Sequence, residues 1–92
     1  MAERVTKKLA CGHSITLAGR IIMKDFRAWV KADKEGDFEA SYGYLAQVIE
    51  AWDWDGLDPD APASYDELEL REYRQINEAV SEWVQAEAAS KN

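Results

Sequence analysis

Residues 20–34, Arg20-Ile-Ile-Met-Lys-Asp-Phe-Arg-Ala-Trp-Val-Lys-Ala-Asp-Lys34, carry two patterns at once. Ile22, Met23, Phe26, Trp29 and Val30 recur at helical spacing and predict one apolar face of a helix over 21–34. Arg20, Lys24, Arg27, Lys31 and Lys34 follow at i, i+4, i+7, i+11 and i+14, which aligns five cations in a second stripe. A helix with one apolar and one basic face needs a core on one side and leaves the other for solvent or a partner.

The flanking sequence supplies that core. Upstream, Val5, Lys7 and Leu9 alternate with Thr6 and Lys8, and Ile15 and Leu17 alternate with Ser14 and Thr16. With a turn at Gly12, this predicts a β-hairpin over 4–18 with one solvated face. Downstream, Asp37 is a suitable N-cap after Gly36, and Phe38, Tyr42, Leu45, Ile49 and Trp52 continue at i, i+4, i+7, i+11 and i+14. That spacing predicts a helix over 37–52, and Gly43 inside it suggests a close helix crossing. Residues 53–63 hold Pro59, Pro62 and four aspartates and read as an acidic loop. Ser64-Tyr-Asp-Glu67 has the form of a capping box. It opens a helix predicted over 64–88, with a break possible near Leu68-Glu-Leu70 and frayed residues at its end. Tyr73, Ile76, Val80, Trp83 and Val84 form its apolar stripe. The expected fold is a single α+β domain, residues 1–92, mostly helical: an N-terminal β-hairpin followed by three amphipathic helices around one small core.

Composition supports one soluble globular domain. Hydrophobic residues are 47% and charged residues 32% of the 92, too apolar for disorder over most of the chain. A domain this small buries only roughly two-thirds of its unfolded surface, so it is better suited to presenting a surface than to enclosing a deep pocket. The net charge of −7 disfavours nucleic-acid binding. That total conceals a polarity. Residues 1–34 hold eight cations against three acids, net +5, and residues 35–92 hold three cations against fifteen acids, net −12. The basic stripe therefore has three readings: a solvated face, an internal match to the acidic half, or a docking surface for an acidic partner or a second copy. No apolar run is long enough to span a membrane and no leader is evident, so an intracellular protein is expected. The single cysteine excludes an intrachain disulfide.

Candidate chemistry is sparse. Cys11 and His13 share a turn, but they are the only Cys and His and cannot complete a zinc site. Asp53, Asp55, Asp58 and Asp60 evoke a calcium loop. An EF-hand starting at Asp53 would need Gly and Glu where Asp58 and Ser64 stand, and Leu57 occupies a ligand position. No phosphate-binding glycine loop, nucleophile elbow or histidine-based metal pair occurs. No catalytic residue, metal or cofactor is therefore expected. Trp54, flanked by Asp53 and Asp55, reads either as an exposed binding anchor or as a ring folded over the edge of the core. The candidate partner-binding residues are Arg20, Lys24, Arg27, Lys31, Lys34, Trp54, Asp53, Asp55 and Asp58.

The order of features resembles the small tail assembly chaperones of long-tailed bacteriophages. The strand pair around Gly12 leads into Arg20-Ile-Ile-Met-Lys-Asp-Phe-Arg-Ala-Trp29. A helix then closes with Leu45-Ala-Gln-Val-Ile-Glu-Ala-Trp52 before Asp55-Gly56. After a proline-containing acidic loop come Ser64-Tyr-Asp-Glu-Leu68 and Tyr73-Arg-Gln-Ile-Asn-Glu-Ala-Val80. The likeness covers roughly residues 9–85. It implies a non-enzymatic protein of the host cytoplasm that coats the tape measure protein until the tail tube forms around it. It also implies that the protein is often made in two forms by a programmed frameshift. The charge polarity adds an expectation of self-association. The rival reading is an acidic binding module, or DNA mimic, that inhibits a host nucleic-acid-acting protein.

Overall fold

The computed structural model describes residues 4–17 and 21–89, with the side chains of 88 and 89 left aside. The chain is α+β and mostly helical, with the hairpin first, as the sequence patterns indicate. Strands β1 (Val5–Lys8) and β2 (Ser14–Leu17) pair antiparallel with Val5 opposite Leu17 and Lys8 opposite Ser14. Leu9 and Gly12 close the turn, Leu9 N–H donating to His13 O and Gly12 N–H to Leu9 O. Gly12 has φ 100, a conformation that a side chain would strain. One face of the hairpin buries Leu9, Ile15 and Leu17; on the other, the hydroxyls of Thr6 and Thr16 meet at 3.2 Å.

Helix α1 (Met23–Glu35) follows and is stopped by Gly36 in the left-handed region, φ 73. Gly36 N–H donates to Asp33 O and Asp37 N–H to Ala32 O, the paired bonds of a Schellman ending. Asp37 then caps α2 (Phe38–Val48), its carboxylate accepting from Ala40 N–H.

Two helix boundaries differ from the sequence expectation. The helix predicted over 37–52 ends at Val48, and Ile49–Trp52 form strand β3, which pairs antiparallel with β2. The resulting sheet has the order β1-β2-β3. Ile49 faces Leu17 and Ala51 faces Thr16, so Glu50 is the extra residue of a bulge. A hairpin alone is marginal in water, and the open edge of β2 gains a third strand here. Ile49 and Trp52, one β-branched and one aromatic, suit a strand as well as the helical spacing that predicted α2 through them. The helix predicted over 64–88 also begins late. Residues Pro62–Glu67 form a 3₁₀ helix, and α3 runs Leu70–Ala89 after the break at Leu68-Glu69. Ser64 does not cap α3; its hydroxyl accepts from Asp58 N–H instead. Glu72 performs the capping role, its carboxylate accepting from Glu69 N–H.

The core lies between the sheet and the helices. Ile15, Leu17, Leu45, Ile76 and Val80 are fully buried there, with Trp29, Tyr44, Tyr65, Tyr73 and Trp83 around them. Ser41 is equally buried, and its hydroxyl joins three helices. Trp29 Nε1–H of α1 donates to Ser41 Oγ of α2 at 3.0 Å, and Ser41 Oγ meets the Tyr73 hydroxyl of α3 at 2.6 Å. Gly43 does not mark a close crossing: a Cβ there would meet nothing within 4 Å. Of the predicted apolar face of α1, Ile22 and Met23 are exposed, and Phe38 of α2 is half exposed.

Two substitutions in α2 should therefore shift stability in opposite directions. Ser41→Ala strands a buried indole N–H and a phenol, and urea unfolding should show a loss of about 1–3 kcal/mol. Gly43→Ala should gain about 0.5–1 kcal/mol, because the helix gains propensity and the space is open.

Candidate functional site

The candidate residues separate into a basic helix face and an acidic loop. Lys24, Arg27, Lys31 and Lys34 are all exposed on the side of α1 that turns away from buried Trp29 and Ala32. None of these four cations pairs with a carboxylate among the described residues. The ion pairs that do form use other cations: Arg4 with Glu50 at 2.7 Å, Lys7 with Glu82 at 3.9 Å and Arg71 with Glu69 at 3.5 Å. Arg4 and Lys7 of the hairpin thus meet the acidic half of the chain, while among the described residues the α1 stripe does not. Arg20 lies outside the described residues.

The acidic loop is held by aromatic donors. Trp52 Nε1–H donates to Leu57 O at 2.9 Å and the Tyr65 hydroxyl to Pro59 O at 2.8 Å. Asp58 accepts from Asp60 N–H at 2.9 Å, a local turn bond of the kind aspartate favours. Among the described residues no three His, Cys, Asp or Glu side chains gather in a way that could hold a metal ion. Asp55 and Asp58 remain exposed. Burial, then the charges of Asp60 and Asp58, push the Tyr65 phenol well above its ordinary value of 10.0.

Trp54 and Asp53 are not a free anchor. Trp54 folds back and stacks on His13, ring centroids 4.1 Å apart, with its other contact edge-on to Trp52 at 5.1 Å. Its indole nitrogen is buried. His13 Nδ1 lies 2.7 Å from Asp53 Oδ1; an ionised carboxylate only accepts, so the ring proton sits on Nδ1. Asp53 also accepts from Ser14 N–H, and His13 Nε2 lies 3.7 Å from Glu72. Cys11 N–H donates to Gln75 Oε1 of α3 at 2.8 Å. The Cys-Gly-His turn is thereby clasped to the end of β3 and the start of α3. The His13 hydrogen bond, aided by Ser14 N–H and opposed by partial desolvation, lowers the Asp53 carboxyl below its ordinary 3.8.

Grooves between the helices flank this framework, and sequence patterns located none of them; two concern the candidate residues. The larger, 450 Å³, lies between α2 and the 3₁₀ helix: Tyr42, Pro62 and Ala63 line it together with the carboxylates of Glu39, Asp66 and Glu67. Asp66 accepts from the Tyr42 hydroxyl at 3.2 Å. The second, 320 Å³, runs between α1 and α3 and is lined by Trp29, Val30, Asn77 and Ser81 with Asp33, Lys34 and Glu78. Asn77 Oδ1 is buried without a hydrogen-bond partner. The only available signal was the half-polar character of each lining, which also suits an ordinary helix surface.

Compared with known proteins, the chain matches no family, no curated protein and no solved structure. Among the described residues no helix is long and apolar enough to cross a membrane.

The clasp has a pH signature. Asp53 is more acidic folded than unfolded, so it stabilises the fold above pH 3.8, and this contribution is lost as pH falls below that value. Thermal melts of the wild type and of Asp53→Asn should differ at neutral pH and converge below pH 3.8.

Proposed function

We propose that the chain is a non-enzymatic chaperone of bacteriophage tail assembly. It binds the tape measure protein in the host cytoplasm, keeps that long apolar helix soluble, and self-associates. The order of sequence features that resembles the tail assembly chaperones motivates this reading. The observation that carries it is the groove between α1 and α3. Two roughly neighbouring helices with Trp29 and Val30 between them offer an apolar seat for a third helix, and Asp33, Lys34 and Glu78 offer both charge signs at its edge. That is the helix-in-groove mode of recognition, in which an amphipathic ligand lays its apolar face between two host helices. A net charge of −7 keeps a complex with an apolar client in solution.

A DNA mimic would present carboxylates as a continuous ridge. The exposed basic face of α1, unpaired among the described residues, counts against that reading.

Coexpression with a long coiled-coil tape measure protein tests the proposal. The client should stay soluble and copurify with the wild type. Ser81→Arg fills the groove with a long side chain and should release the client to the insoluble fraction while the chaperone itself stays folded. A client equally soluble with and without the chain would contradict the reading.

A further inference from the structure

The four cations of α1 and the acidic groove beside α2 are each left unsatisfied by the fold, and they complement one another. Lys24, Arg27, Lys31 and Lys34 are exposed and unpaired among the described residues, and Lys24 to Lys34 covers about 15 Å of helix. Met23, at the edge of this stripe, is 61% exposed, the most exposed large apolar side chain among the described residues. The groove shows the reverse character. Tyr42, Pro62 and Ala63 give it an apolar floor, and half-exposed Phe38 stands one turn from Tyr42, ring centroids 6.3 Å apart. Glu39, Asp66 and Glu67 rim it, and none of the three pairs with a cation among the described residues. A volume of 450 Å³ admits a methionine side chain with room for the stems of neighbouring lysines.

We infer that the basic face of α1 in one copy docks into the acidic groove between α2 and the 3₁₀ helix of a second copy. Met23 enters the apolar floor, and the lysines and arginine meet the carboxylate rim. This rests on the self-association in the function proposed above and names the two surfaces that would make it. The surfaces lie on different elements, so the contact is heterologous: each pair keeps one free face and one free groove. Assembly therefore continues to a ring or an open chain unless one surface is removed.

Charge decides the conditions. Each copy carries −7, and this long-range repulsion is felt most at low ionic strength. Near physiological salt the Debye length is about 8 Å, which screens the repulsion while pairs in contact persist. At about 1 M salt it is about 3 Å, and the rim contacts weaken as well. Association should pass through a maximum between these limits.

Sedimentation velocity on two charge-reversed variants of the full chain gives the test. Lys24→Glu/Arg27→Glu spoils the face and leaves the groove; Glu39→Lys/Glu67→Lys spoils the groove and leaves the face. All four side chains are exposed and, among the described residues, unpaired, so both variants should melt within a few degrees of the wild type. The wild type should form species larger than dimers. Each variant alone should stay monomeric, with association weakened at least tenfold. Their equimolar mixture should assemble beyond a dimer, because the native face fits the native groove and the reversed face fits the reversed groove. Met23→Glu should weaken wild-type assembly similarly, which supplies a second reading if a double variant fails to fold. A monomeric wild type at all concentrations, a variant that assembles like the wild type, or a mixture that stays monomeric would overturn the inference. Client solubility in coexpression with the same variants is read separately. Retained solubility with failed assembly would leave the chaperone reading standing and remove only this contact.

Discussion

The Ser41 hydroxyl is the point on which the arrangement of the helices turns. It accepts the indole proton of Trp29 and meets the phenol of Tyr73, so one buried atom ties α1, α2 and α3 together. A hydrophobic contact would tolerate rotation of α1 about its axis. A hydrogen bond at 3.0 Å from a side chain on α1 does not. With Trp29 fixed inward and Ala32 buried beside it, the helical repeat places Lys24, Arg27, Lys31 and Lys34 on the outward side. The node thus determines what the protein shows as well as what it buries.

A second set of contacts organises the acidic half. Aromatic rings run from Trp54 through Trp52, Tyr65 and Tyr42 to Tyr73 and Phe38, each within 6 Å or so of the next. Two of these rings also donate to loop carbonyls, Trp52 to Leu57 and Tyr65 to Pro59. This accounts for a loop so rich in aspartate that nevertheless packs on the core: the chain is held by ring faces and backbone bonds while the carboxylates stay in water. Tyr42 of this ladder also lines the groove that carries Glu39, Asp66 and Glu67, so the groove joins the edge of the core to a charged surface.

Local patterns were legible and partnerships at a distance were not. The hairpin alternation, the amphipathic α1, the Gly36-Asp37 junction and the stripe of cations all depend on residues a few positions apart. Strand β3 depends on the open edge of β2, over thirty residues earlier, and Ile49 and Trp52 fit a helix by spacing while suiting a strand by residue type. Ser64-Tyr-Asp-Glu67 has the letters of a capping box, but the proline at 62 and the pull of Tyr65 into the core turn the segment into a 3₁₀ helix. Trp54 and Asp53 were ambiguous because their partner, His13, sits forty residues away. The grooves were invisible for the same reason, since each joins two elements whose polar residues look individually ordinary.

The Ser41 node sets the roll of α1 and so assigns its basic face to the outside. Hydrogen exchange of the indole protons, followed by NMR, reads the node itself. The Trp29 indole proton should exchange only through global unfolding, with protection that falls along the full denaturant slope of the protein. A Trp29 indole proton that exchanges as fast as an exposed tryptophan in an otherwise folded protein would contradict the node and the orientation derived from it.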